Sequence, residues 1–134
     1  MALGAKKRGF EYLAITDHSQ HLGVAKGLDV TRLLAHLEQI DKLNDEPDGI
    51  TLLKGLEVDI LEGGSLDMPD DVLGKLDLVV GAVHDHFQLS QQKQTERILM
   101  AMDHPHFTML AHPQGVTQPR RGAIRSPTHS LRAR

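Results

Sequence analysis

The sequence predicts an α/β fold built on a parallel sheet, and three observations carry that prediction. Apolar runs of strand length alternate with stretches of helical spacing. The runs are too continuous in apolar content for half-exposed antiparallel strands, so they read as buried on both faces. With 134 residues the chain can bury one core but not two.

The elements follow in order. Residues 2 to 8 (ALGAKKR) read as the last turns of a helix, and Tyr12 to Thr16 (YLAIT) as the first strand. Leu33, Leu34, Leu37, Ile40 and Leu43 then repeat with a 3.6-residue period. That helix is entered through Asp29 or Thr31 as N-cap and closed by a Pro47-Asp48-Gly49 turn. Thr51 to Ile60 (TLLKGLEVDI) is the second strand. A short helix starts after Pro69 with Val72, Leu73 and Leu76 inward, and its acidic start at Asp67, Asp70 and Asp71 suits the helix dipole. Asp77 to Val83 (DLVVGAV) is the third strand. A further helix runs from a Ser90 cap to Pro105, with Ile98, Leu99 and Met102 inward and Met100 and Met102 as core and edge packing. Phe107 to Ala111 (FTMLA) is the fourth strand. From Gln118 the period is lost, and residues 118 to 134 read as a poorly packed basic tail with five of the fifteen Lys and Arg residues. Residues 1 to 117 form the domain.

Composition narrows the function. The chain is 40% hydrophobic and 25% charged, as in folded soluble proteins. No apolar run reaches the roughly 18 residues that span a bilayer, and the N-terminus lacks the apolar core of a signal peptide, so a cytoplasmic location and no membrane partner are expected. The absence of cysteine excludes disulfides, thiolate metal sites and thiol catalysis, which leaves any metal to the nine histidines and the carboxylates. With a formal charge of −3 and a pI near 6.3, the chain has no bulk basic field. Any polyanion must be met locally or through bound cations.

Chemistry-bearing residues gather at the strand ends. Asp17 and His18 follow the first strand, Glu57 lies late in the second, His84 ends the third and His112 the fourth. In parallel α/β folds the carboxyl ends share one face, so groups distant in sequence converge there. Three imidazoles and a carboxylate suit a divalent first-row metal such as Zn²⁺ or Mn²⁺. Any one of these histidines alone would read as a hydrogen-bonded loop residue; three of them in register with Glu57 argue for a site. Gly55 thins the backbone beside Glu57. Asp17 reads equally as a turn brace or as the group that fixes a histidine tautomer. His86 shares the side of His84 if that strand continues. His36, His104 and His106 read as solvated, and His21 and His129 receive no role. Lys54 and Arg97 could touch phosphate oxygens, but their positions in a strand and a helix favour solvated or packing roles.

The segments "TDHS", "GLEVDILEGGSLDMPDDVL", "LDLVVGAVHDHF", "QTERILMAMDHPHF" and "LAHPQG" resemble, in order and spacing, the PHP (polymerase and histidinol phosphatase) family. The likeness covers roughly residues 2 to 115 and points to the C-terminal PHP domain of bacterial and archaeal family X DNA polymerases. It implies a distorted seven-stranded TIM-like β/α barrel with up to three divalent metals, and phosphoester hydrolysis resembling a 3′-5′ exonuclease that serves DNA repair. Glu57 would bridge metals, His18, His84 and His112 would be terminal ligands, and a polymerase domain could lie upstream. The chain departs from the family in lacking the opening His-x-His pair and the closing Asp-x-His pair. The resemblance therefore implies a partial barrel without its first and last strands, an N-terminally truncated start, and at most one or two weakly held metals. "GVTQPRRGAI" resembles the family's extreme C-terminus, as though the strand with Asp-x-His were skipped; a frameshifted tail is the rival explanation. Two other readings stand beside the exonuclease fragment. One is a histidinol-phosphatase-like phosphomonoesterase, and the other is an inactive remnant that binds DNA or a partner through its basic tail.

Overall fold

The computed structural model describes residues 1–21, 27–46 and 49–113. Pro47 and Asp48 of the expected turn, the tail from residue 118, His129 and the segment GVTQPRRGAI lie outside these residues. The described chain runs α1 (Ala2–Lys7), β1 (Tyr12–His18), α2 (Val30–Asn44), β2 (Thr51–Asp59), α3 (Asp70–Leu73), β3 (Leu78–Ala82), α4 (Gln91–Met102) and β4 (Met109–Leu110). The four strands form one parallel sheet in the order β1-β2-β3-β4. No helix among the described residues is long and apolar enough to cross a membrane.

Sequential order in a parallel sheet has a geometric consequence. Parallel crossovers are right-handed as a rule, which puts connecting helices of sequentially ordered strands on one side. One apolar cluster accordingly joins Leu33, Leu37 and Ile40 of α2, Val72 and Leu73 of α3 and Ala101 of α4 to Leu52, Leu56 and Val58 of β2 and Val79 of β3. The register aligns Leu56 with Val79, so these strand residues share one face. The opposite face carries Tyr12, Leu53, Leu78 and Val80, none of them buried.

The expectation that all four strands are buried on both faces is therefore corrected. In β1, an edge strand, no residue is fully buried, and Tyr12 is 65% exposed. Helices on one side alone leave the second face open, and continuous apolar content cannot distinguish the two situations.

Local chemistry explains the helices. Asp29, not Thr31, caps α2 by accepting from the Arg32 N–H at 2.8 Å. Leu33, Leu37 and Ile40 are buried, while Leu34 and Leu43 sit on the flanks. At its other end Asn44 accepts from the Leu52 N–H at 2.7 Å and donates to the Leu52 carbonyl at 2.9 Å. Those backbone groups lie before the start of β3, which would otherwise pair them. Asp77 does the same one step on, accepting from the Lys54 N–H at 2.8 Å while its own N–H donates to the Lys54 carbonyl. The Lys54 ammonium pairs with Asp41 of α2 at 2.5 Å, a packing role on the helix side.

Helix α4 has the expected Ser90 cap, but its buried face is not the expected one. Arg97 and Ala101 are buried, whereas Leu99, Met100 and Met102 are at least half exposed. The inward reading of Leu99 and Met102, and the core role of Met100, are thus corrected. Arg97 takes the inward position because its guanidinium donates to the Ile60 carbonyl, to the Asp85 carbonyl at 3.2 Å and to Asp85 Oδ1 at 2.9 Å. Those bonds compensate a burial that leaves Arg97 only 2% exposed. Close packing against α4 also accounts for Gly64, whose φ is +89° and where a Cβ would lie 2.9 Å from the Arg97 carbonyl oxygen.

Candidate metal centre

The residues that reach the carboxyl rim of the sheet are set by strand parity. In a parallel pair, aligned residues point to the same face, and β1–β2 register matches His18 with Glu57. Both therefore point away from the helices. Gly55, two residues before Glu57 on that face, has no room for a side chain: a Cβ would meet Thr16 Cγ2 at 2.6 Å and the Ile15 carbonyl oxygen at 2.9 Å.

Three predicted histidines converge on one oxygen of the predicted Glu57. Glu57 Oε1 lies 3.0 Å from His112 Nε2, 3.2 Å from His84 Nε2 and 3.6 Å from His18 Nε2. Ligand atoms of His18, Glu57 and His84 all fall within 4.8 Å of one another. The ring of His112 stands 5.2 Å from that of His84, centroid to centroid, and His18 stands 5.7 Å from His84. His112 reaches the group from a left-handed backbone, with φ of 27°. Such a conformation in a non-glycine residue is unfavourable and collects at functional sites.

The donors of His18, Glu57 and His84 lie close enough together to fit a divalent cation. Donor atoms around tetrahedral zinc are roughly 3.3 Å apart, given bonds of about 2.0–2.1 Å. The three imidazole-to-carboxylate separations bracket that spacing. Hydrogen bonding alone does not account for the arrangement. One carboxylate oxygen offers two lone pairs, yet three Nε2 atoms face it.

Asp17 is not brought to this group. Adjacent strand residues point to opposite faces, so Asp17 turns toward the helices, where its carboxylate lies 3.5 Å from His36 Nε2. His36 is correspondingly half-buried on α2, and the solvated reading is corrected. His86 also stays apart. Its φ of 50° breaks the extended backbone after β3, so the strand does not continue to carry it beside His84. His104 contacts Asp70 at 3.2 Å, away from the rim, and is half-buried, as is His106. Their solvated reading is corrected as well: they sit in the tight turn between α4 and β4, packed against the start and end of α3.

The sequence reading missed two further groups. Asp59 is buried, 3% exposed, and its Oδ1 accepts from His84 Nδ1 in a close contact. Its signal was the spacing Glu57-Val58-Asp59, since residues two apart in a strand share a face. The second is Asp85, which joins His21 Nε2 at 2.8 Å to the buried Arg97. The hydrogen bond to Asp85 raises the His21 pKa above its ordinary value. Burial pushes the Asp85 carboxyl upward, but hydrogen bonds from His21 and Arg97 outweigh it and hold the group below its ordinary range.

Comparison with known proteins agrees with the geometry. The chain is 43% identical over 115 residues to the DNA polymerase/3′-5′ exonuclease PolX of Bacillus subtilis, an alignment covering 86% of this chain and 20% of PolX. It is 34% identical over 116 residues to a probable phosphatase of Thermoanaerobacter sp., covering 81% of this chain and 44% of that one. A probable phosphatase of Acetivibrio thermocellus is 32% identical over 84% of this chain and 46% of its own length. No family model matches the chain. The chain thus spans a fifth of PolX and less than half of these phosphatases. Homology to PolX and to the phosphatases covers more than four-fifths of this chain and is consistent with a PHP-type domain.

Proposed function

We propose that this chain is part of a metal-dependent phosphoesterase domain that holds a divalent cation, Zn²⁺ or Mn²⁺, on His18, Glu57, His84 and His112. The observation that carries the reading is the convergence of three imidazole Nε2 atoms on Glu57 Oε1. A bound cation would supply charge neutralisation for a phosphate and a water acidic enough to attack near neutral pH. The protein's part is to hold the four donors at the rim, with Glu57 half-buried between β1 and β3 so that its carboxylate faces both sides of the site. The bulk charge of −3 suits this arrangement, because the phosphate is met through the cation and not through a basic groove. Asp17, on the helix side, stands outside the catalytic group in this reading. With these four as the donors gathered there among the described residues, at most one or two cations are held, and weakly.

The one-sided helix layer supports reading the sheet as part of a TIM-like β/α barrel, whose interior would be the face bearing Glu57. Residues 1 to 117 are the domain and 118 to 134 a basic tail.

The substrate proposed is a phosphodiester at a DNA 3′ end, because PolX is named a 3′-5′ exonuclease and shows 43% identity. The phosphatase names favour a second reading, a phosphomonoester. Hydrolysis of a 3′-ended oligonucleotide and of nitrophenyl phosphate, with added Mn²⁺, separates the two. Loss of either activity in His18→Ala and His112→Ala is expected. Unchanged hydrolysis in both variants would remove the proposed site, and absence of both activities in the parent chain would leave the inactive-remnant reading.

A further inference from the structure

Asp59 is the most deeply buried carboxylate among the described residues, and the four-ligand reading gives it no task. Its main chain is fixed on both sides: the N–H donates to the buried Ser19 Oγ at 3.1 Å, and the carbonyl accepts from the Asp67 N–H at 2.9 Å. Its Oδ1 meets His84 Nδ1, and its Oδ2 is buried with no hydrogen-bond partner. A half-satisfied carboxylate is an unfavourable way to fill core space, since an apolar residue would pack there without a desolvation penalty. The contact it does make therefore points to the reason for its presence.

We propose that Asp59 is a positioning residue that fixes the tautomer and ring orientation of His84. When Nδ1–H donates to Asp59 Oδ1, the neutral imidazole has its lone pair on Nε2. That nitrogen faces Glu57 Oε1 at 3.2 Å, so two lone pairs are aimed at one another across a gap. A cation between them resolves the opposition. A histidine ligand whose second nitrogen donates to a carboxylate is held in the metal-binding tautomer and made more basic, and losing that partner typically weakens metal affinity by 10–100-fold. Rigid attachment of Asp59 to Ser19 also ties β1 to β2 beside the site, so the orientation of His84 is set from the same strands that carry His18 and Glu57.

The metal half of this inference rests on the proposed function, whereas the tautomer half stands without it. Both are tested with the ¹⁵N-histidine-labelled full chain and the variants Asp59→Ala and Asp59→Asn. In metal-free protein, nitrogen shifts should show His84 as the Nδ1–H tautomer. Asp59→Ala should lose that tautomer and weaken Co²⁺ binding, followed by visible absorption, 10–100-fold. Asp59→Asn keeps an acceptor for Nδ1–H, so it should retain the tautomer and lose less affinity than Asp59→Ala; it also serves if the alanine variant fails to fold. An unaltered tautomer in Asp59→Ala overturns the proposal, as does Co²⁺ affinity within twofold of the parent. Loss of Co²⁺ binding in Asp59→Asn as complete as in His84→Ala would overturn it too, by making Asp59 a ligand. A parent chain that binds no Co²⁺ contradicts the metal reading, and the nitrogen shifts still judge Asp59.

Discussion

The two faces of the sheet are built from the same strands and do opposite work. On the helix side, Leu52, Leu56, Val58 and Val79 are each at most 4% exposed and pack against α2, α3 and α4. On the other side, Glu57 and Asp59 replace apolar residues at the rim, Tyr12 is exposed, and Leu53, Leu78 and Val80 are only half-buried. The first face supplies cohesion, and the second concentrates donors that favour no fold by themselves. Separating the two lets a polar, partly unsatisfied group of side chains exist on a sheet of this size.

That division predicts a graded response to substitution. Leu56→Ala, on the covered face, should cost about 2–5 kcal/mol, read as a lower denaturation midpoint in urea. Arg97→Met should cost about 2 kcal/mol, because Asp85 and the Ile60 carbonyl lose a charged donor. Gly55→Val should cost about 1–3 kcal/mol by forcing β1 and β2 apart, and it should disturb metal binding more than an equally destabilising helix-face change. Leu99→Ser, on the exposed side of α4, should move stability by no more than about 0.5 kcal/mol.

The smallest effect is the pH dependence of the His21–Asp85 tie. His21 has a raised pKa in the fold, so its contribution is full below the ordinary value of 6.5 and is lost as pH rises through the raised value. Asp85 is lowered, so its contribution is full above the ordinary value of 3.8 and is lost as pH falls through the depressed one. Both are present between those two ordinary values. The pair is partly exposed, so abolishing it with His21→Ala should flatten the stability profile by only a few tenths of a kcal/mol.

Much of this was legible in the sequence, and the misses share a cause. Apolar periodicity located α2 and all four strands, and the position of His18, Glu57, His84 and His112 at strand ends anticipated their meeting. Parity along a strand, applied to His86, was not applied to Asp17 and Asp59. It separates Asp17 from His18 and joins Asp59 to Glu57, so the carboxylate facing the rim histidine His84 is Asp59, while Asp17 meets His36 on the helix side. Hydropathy also misled on α4, where a long cationic side chain turns inward because its guanidinium meets Asp85 and the Ile60 carbonyl. Which side of the sheet is left open depends on strand order, and no local pattern encodes that.

The central claim is that three imidazoles and Glu57 hold a divalent cation. Calorimetric titration of the full chain with Zn²⁺ or Mn²⁺, beside Glu57→Ala, tests it most directly. The account predicts one or two ions bound by the parent and a loss of at least tenfold in affinity in the variant. A parent that binds no ion, or a Glu57→Ala chain that binds as the parent does, would contradict it.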